Sequence, residues 1–233
     1  MNNNISNHCI VLDLDLTLLE TQDELNEFLP IINNKNKLNP SLLQRFYHIS
    51  TNEIYNDRIY HKKRKIPKYK LNDLIDYDFW GITRPFLDEF LIFCRKYFKR
   101  IIVWSAGKRN YVHSIVNKIF KNVGYEPDYI FTFDHIKFNK QGRVVKPLKI
   151  IINEINDPYV RLENCIFIDD TNSTFEENID NAILIPKYET KGLLNNFNKI
   201  DECLKEIIEW LMKPEVINAY DIRKIYKKIF FDY

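Results

Sequence analysis

Three short apolar runs stand out along the chain, Cys9 to Leu12, Ile101 to Trp104 and Cys165 to Ile168, and each gives way at once to polar residues. Apolar runs without alternation read as strands buried on both faces. Between them the spacing turns helical. From Pro85 to Tyr97, apolar residues fall at positions 86, 87, 90, 91, 93 and 94, one stripe on a helix with proline in its first turn. From Asn110 to Phe120, Val112, Ile115, Val116 and Ile119 make a second stripe, and from Lys146 to Ile155 a third helix opens with Pro147 at its first position. Strand, helix, strand, helix, strand predicts an α/β fold: a parallel sheet with helices on both faces. Ligands of such sheets bind beyond the carboxyl ends of the strands, so the three polar exits are predicted to converge.

Residues 20–83 interrupt that alternation. They mix helix-like pieces, Gln22 to Phe28 and Ser41 to Phe46, with a basic run from Arg58 to Lys70 that contains Lys62, Lys63, Arg64 and Lys65. The reading is a cap inserted directly after the first strand. Residues 200–233 read as two packing helices, Asp201 to Met212 and Glu215 to Phe231, split by Pro214; Ile222, Ile225, Tyr226, Ile229 and Phe230 fall on one stripe of the second.

At 233 residues and 45% apolar content, the chain suffices for a single well-buried domain over 1–233. The 34 basic and 32 acidic residues leave a net charge of +2, so no overall field points to nucleic acid or an anionic membrane. Cys9, Cys94, Cys165 and Cys203 are far apart and mostly in apolar runs, which suits buried thiols in a reducing compartment. The start has no basic region followed by an apolar stretch, and no apolar run approaches the roughly 18 residues a membrane span needs. The expectation is an intracellular protein, cytoplasmic or nuclear, neither secreted nor in a membrane.

The strand exits carry the chemistry. Asp13, Asp15 and Thr17 follow the first strand at alternate positions, so that as the chain turns away both carboxylates can reach one substrate atom. An Asp-x-Asp-x-Thr string arises by chance in about 4% of chains of this length and composition, so it needs structural company. The second exit, Val103-Trp-Ser-Ala-Gly107, offers the Ser105 hydroxyl and the following backbone N–H groups, beginning with Ala106, to phosphate oxygens. Lys146 adds a positive charge. The third exit, Ile166-Phe-Ile-Asp-Asp-Thr171, brings Asp169 and Asp170 beside the first pair. Crowded carboxylates repel unless a hard cation sits among them, and an oxygen-only, open octahedral set suits Mg²⁺. Asp13, the Asp15 carbonyl and one or both of Asp169 and Asp170 are the expected ligands.

Phosphate monoesters hydrolyse extremely slowly unaided, so catalysis needs a nucleophile, a proton donor for the leaving oxygen and cations on the phosphoryl group. Asp13 is the candidate nucleophile, forming an aspartyl-phosphate. Asp15 would protonate the leaving alkoxide and later deprotonate water. A carboxyl free in water titrates near pH ~4, so Asp15 is expected in a poorly solvated or anionic setting that keeps its proton. A second phosphatase-like spacing, Cys94-x5-Arg100, lies in a helical apolar stripe with no glycine to shape a phosphate loop, so Cys94 reads as core. The five histidines show no ligand spacing.

In order, Asp13-Leu-Asp-Leu-Thr17, Ser105, Lys146 and Asp169-Asp170 match the four motifs of the haloacid-dehalogenase (HAD) superfamily of phosphotransferases. Thr83-Arg-Pro-Phe-Leu-Asp-Glu-Phe-Leu91, Val103-Trp-Ser-Ala106, Phe167-Ile-Asp-Asp-Thr-Asn172, Asp180-Asn-Ala-Ile-Leu-Ile185 and Asp221-Ile-Arg223 resemble its FCP/SCP branch, the NLI-interacting-factor-like phosphatases. The resemblance implies a HAD-like, Rossmann-like sheet with a cap after the first strand, Mg²⁺-dependent monoester hydrolysis, and supporting roles for Thr17 and Arg84. It also implies a phosphoserine or phosphothreonine protein as substrate, notably the RNA polymerase II carboxy-terminal repeat. Ser105 stands where the branch usually has Thr, Thr171-Asn172 replaces its usual Ser-Pro, and the cap is longer and more basic.

Two other readings stand beside this one. A phosphatase of nucleic-acid ends or nucleotides would use the basic run, with Tyr55, Tyr60 and Tyr69 available for base stacking. A non-catalytic binding or scaffold member of the family would not need Asp13, Asp15, Lys146 and Asp169 intact. The basic run itself has three readings: a solvated loop, a groove for an acidic or phosphorylated polymer, or a nuclear-targeting patch.

Overall fold

A computed structural model describes residues 5–23, 25, 28, 29, 33, 40–54, 74–189 and 201–227. The strands are β1 (Cys9–Leu12), β2 (Leu19–Gln22), β3 (Phe46–Ile54), β4 (Leu74–Thr83), β5 (Arg100–Trp104), β6 (Tyr129–Phe131), β7 (Lys137–Phe138), β8 (Val144–Val145), β9 (Cys165–Asp169) and β10 (Ala182–Leu184). The helices, in chain order, are α1 (Pro40–Gln44), α2 (Leu87–Tyr97), α3 (Arg109–Val123), α4 (Leu148–Ile155), α5 (Cys203–Leu211) and α6 (Pro214–Ile217).

The three predicted strands form the centre of a five-stranded parallel sheet in the order β10-β9-β1-β5-β6. Alternate residues leave opposite faces. Ile10 and Leu12 of β1 join a core with α2, α3 and α5, while Cys9 and Val11 join one with α4. Both faces are therefore covered, which is why these strands are apolar throughout rather than alternating. Each large side chain so buried contributes roughly 1.5–3 kcal/mol relative to leaving it in water. β6 and β10, three residues each, were too short to stand out in the apolar pattern.

Helix α3 stops at Gly124, whose φ of 75° lets its N–H reach back to the Phe120 carbonyl. Helix α4 begins one residue after Pro147, which sits outside the helix with an extended ψ of 111° rather than at its first position. Helix α2 likewise starts later than the proline suggested, at Leu87, behind Phe86 at φ 64°.

The insertion differs from the helical pieces expected there. β2, β4 and β3 form an antiparallel sheet in that order, in which Leu19 pairs with Thr83 and Tyr47 with Gly81. Ser41 to Gln44 is helical, but the chain enters β3 at Phe46, and Gln22 ends β2. Much of the Gln22–Phe28 piece and the whole basic run, with Lys62, Lys63, Arg64 and Lys65, lie outside the described residues. The tail is also less helical than its stripe implied. α5 forms as expected, but after the short α6 only a 3-10 turn follows at Ile222–Lys224. Ile222 is buried whereas Tyr226 is 69% exposed, and Ile229 and Phe230 lie outside the described residues. Pro214 starts α6 and supplies the φ of its first turn.

Candidate active site

Register places the acidic groups. Leu12 pairs with Val103 on one side and Ile168 on the other, and the Asp13 N–H extends the ladder to the Ile168 carbonyl at 3.1 Å. Asp13 thus leaves β1 abreast of Asp169, the last residue of β9. The chain then turns tightly: the N–H groups of Thr17, Leu18 and Leu19 converge on the Leu14 carbonyl, and Leu16 takes φ 62°. Leu14 and Leu18 are sunk in the core, which anchors the turn. A non-glycine left-handed residue is uncommon and needs such support.

Lys146 crosses to this corner from the start of α4. Its ammonium donates to Asp13 Oδ1 at 2.5 Å and Asp169 Oδ2 at 2.7 Å, and all three groups are buried. Asp13, Asp169 and Asp170 offer carboxylate oxygens that lie within 4.8 Å of one another. Thr17 Oγ1 donates to Asp170 Oδ1 at 3.0 Å and accepts the Asp170 N–H at 3.1 Å, locking the first exit to the third. Thr171 N–H donates to Asp169 Oδ1 at 2.8 Å, and Lys187 approaches Asp170 at 3.9 Å from the surface.

Arg84, fully buried, holds the turn from behind. Its N–H donates to the Leu18 carbonyl at 2.8 Å and its Nη1 to the Thr17 carbonyl at 2.9 Å, while Nε and Nη2 grip Asp201 at 2.9–3.1 Å. Asp201 had no signal in the sequence beyond its place before a helix.

Ser105 is buried, and its own N–H belongs to the sheet, donating to the Phe131 carbonyl at 3.1 Å. Its Oγ accepts the Gly107 N–H at 3.0 Å, which leaves the hydroxyl hydrogen to donate elsewhere. Ala106 stands exposed between them. The sequence reading placed Ser105 and Ala106 at a phosphate-binding turn; the turn is present, with the Gly107 amide engaged inside it.

Charge is unbalanced in this corner, with four carboxylates facing one buried ammonium. Burial pulls Lys146 down, but Asp13 and Asp169 outweigh it and leave its pKa above the ordinary lysine range. Burial raises Asp15, with the Asp170 charge adding to it against the Tyr111 hydrogen bond and the Lys146 charge. Burial and the Asp169 charge likewise raise Asp170, and burial raises Asp13 against the attraction of Lys146. Asp15 accepts a hydrogen bond at Oδ1 from the Tyr111 hydroxyl of α3. Tyr111 was missed because it lies just outside the apolar stripe of its helix. Cys94 is buried in α2 with its thiol pushed well up by burial, and Arg100 pairs with Asp157 at 2.6 Å, so the Cys-x5-Arg spacing forms no site. Among the described residues no helix is long and apolar enough to cross a membrane.

The parallel sheet with two acidic strand exits and a buried lysine at its carboxyl edge defines a HAD-like α/β protein. More narrowly, the family model described as NLI interacting factor-like phosphatase matches residues 8–223, and the chain belongs to that family. Among solved structures it is similar to the fission yeast RNA polymerase II CTD phosphatase Fcp1 bound to beryllium fluoride. That likeness has a TM-score of 0.55 and 17% identity over 88% of this chain and 50% of that one. A second structure, of Fcp1 described as an essential RNA polymerase II CTD phosphatase, gives a TM-score of 0.53 and 15% identity over 96% of this chain and 59% of that one. The chain therefore spans between half and three-fifths of the length of these relatives. At this identity the likeness speaks for the fold. No curated protein matches the chain significantly.

Proposed function

We propose that this protein is a Mg²⁺-dependent phosphoric monoester hydrolase working through an aspartyl-phosphate on Asp13. The observation that carries the reading is the Lys146 ammonium bridging Asp13 and Asp169, with Asp170 completing an all-oxygen triad within 4.8 Å. The donor set fits a hard divalent ion: it is entirely carboxylate, its oxygens crowd within 4.8 Å, and the Asp169 charge adds to the burial that raises Asp13 and Asp170. Asp13, Asp169 and Asp170, with the Asp15 carbonyl, would hold the ion, which when bound neutralises charge on the phosphoryl oxygens.

The chain's own groups supply the remaining steps. Asp13, oriented by Lys146, attacks phosphorus; its new P–O bond forms as the ester P–O bond breaks. The bonding pair leaves with the ester oxygen, which takes the proton of Asp15. A water then gives its proton to Asp15 and attacks the same phosphorus, so that the Asp13 oxygen departs as carboxylate and inorganic phosphate is released. The upward shift of Asp15, dominated by burial, suits a group that must carry that proton near neutrality. Ser105 and Ala106 receive phosphoryl oxygens.

A phosphoserine- or phosphothreonine-bearing protein inside the cell is the proposed substrate, supported by family membership and by the motifs shared with the CTD phosphatases. Hydrolysis of a small aryl phosphate should require Mg²⁺ and vanish in Asp13→Asn. Turnover should then favour phosphopeptides over 3′- or 5′-phosphorylated oligonucleotides. A protein inactive with every divalent metal would contradict the enzymatic reading, and an oligonucleotide preference the substrate.

A further inference from the structure

Of the four carboxylates, Asp15 is the one in contact with Tyr111 of α3 and with the insertion sheet. Beside its bond from Tyr111, it lies near the Thr21 hydroxyl of β2, which also interacts with Tyr111. Thr21 in turn pairs with the Tyr47 hydroxyl of β3 at 2.6 Å. Tyr111 packs in a tilted arrangement against Phe79 of β4, ring centroids 4.9 Å apart and planes at 59°, and the neighbouring Asn110 bonds the Asn52 carbonyl of β3 at 2.6 Å.

Two of the protein's glycines make room for these tyrosines. A Cβ at Gly107 would stand 2.7 Å from the Tyr111 ring, and one at Gly81 would stand 2.3 Å from Tyr47 Cζ and its hydroxyl. Neither glycine has the left-handed φ that ordinarily explains its presence. Their absent side chains are the space that the two rings occupy.

We propose that Tyr111 is a positioning residue for Asp15, with Thr21 and Tyr47 extending its hold into the insertion sheet; this rests on Asp15 as the proton-transferring group. With Oδ1 held, the carboxyl plane is fixed and Oδ2 is the oxygen that can carry the proton to the ester oxygen. The insertion thereby helps to aim the acid as well as flanking the site. The step served is the breaking of the ester P–O bond, in which the departing oxygen takes the Asp15 proton.

Leaving groups of different basicity test this directly. An alkoxide from phosphoserine needs the proton, whereas nitrophenolate departs with little help. In Tyr111→Phe, which keeps the ring and its packing, kcat/KM should fall about tenfold for a phosphoserine peptide and change less than about twofold for p-nitrophenyl phosphate. Thr21→Val, isosteric and outside the triad, should show the same selective loss to a smaller extent. Equal losses on both esters, or none on either, in the two variants would overturn the assignment. The nucleophile reading is scored separately: if wild-type turnover of both esters survives in Asp13→Asn, that reading fails, and if it is lost there, only the positioning claim is at stake.

Discussion

Two buried lysines sit at opposite ends of the same sheet, and their surroundings could hardly differ more. Lys146, at the carboxyl edge, reaches two carboxylates at 2.5 and 2.7 Å. Lys227, at the amino edge, donates to the carbonyls of Asp180 at 2.7 Å, Ile222 at 2.5 Å and Ile225 at 3.0 Å. Carboxylate charge lifts the first above the ordinary lysine range, while burial pulls the second down to about 8, still charged at neutral pH. Lys227 thus has three donors matched to three acceptors, and its corner is complete. It pins the tail beneath β10 near the point where Ile222 N–H joins the Glu163 carbonyl ahead of β9. The corner around Lys146 keeps an excess of carboxylates over ammonium, with Asp13, Asp15 and Asp170 raised. A satisfied polar cluster specifies structure; an unsatisfied one at a strand exit marks a site.

Changes at the two ends should therefore separate cleanly. The largest effect belongs to Asp13→Asn: turnover should drop by about 10⁴ or more. Removing one of the crowded carboxylates should meanwhile leave the metal-free melting temperature no lower than wild type, as expected when function is held against stability. Lys146→Met should lower kcat by about 10² to 10³, in line with the loss of a buried electrostatic contact to the reacting groups. A loss below tenfold would erase the distinction drawn between the lysines.

Next in size is the effect of metal on stability. Mg²⁺ at about 100 times its dissociation constant should stabilise the wild-type fold by about 2.7 kcal/mol in thermal or denaturant melts. The pH dependence has a definite sign. An acid whose folded pKa is raised contributes stability below its unfolded value, near 3.9 for Asp, and that stability is lost as pH climbs through the folded value. Asp170 is raised by burial and by Asp169. The melting temperature of metal-free Asp170→Asn should accordingly gain on wild type as pH rises from about 4 toward neutrality; a difference that shrinks instead would show that the site is not charge-crowded. The smallest effect is Lys227→Met, which should destabilise by about 1–3 kcal/mol with kcat unchanged.

The same contrast explains what the sequence made legible. Parallel strands buried on both faces leave contiguous apolar runs, and their polar exits stand out at Asp13, Ser105 and Asp169 because each ends an unbroken apolar run. The insertion sheet left a different trace. Ile75-Asp-Tyr-Asp-Phe79 alternates with period two, its odd positions on one face and its aspartates on the other, but the helix-like spacing of neighbouring pieces masked it. β6 and β10 are only three residues long and gain definition from pairing rather than from their own pattern. Tail residues such as Tyr226 fit a helical stripe on paper, but the chain is held along the sheet edge by single contacts, Ile222 N–H to Glu163 and the Lys227 clasp, that no periodicity encodes. Tyr111 and Asp201 were invisible for the same reason: their partners, Asp15 and Arg84, are 96 and 117 residues away.

The central claim is that Asp13 takes the phosphoryl group while a divalent ion rests on its carboxylate neighbours. Rapid acid quench of the enzyme turning over a phosphopeptide, followed by peptide mapping by mass spectrometry, tests it most directly. The account predicts a phosphate adduct on Asp13 that forms only when Mg²⁺ is present. An adduct on Ser105 or Cys94, or steady turnover with divalent ions removed and no adduct on Asp13, would contradict it.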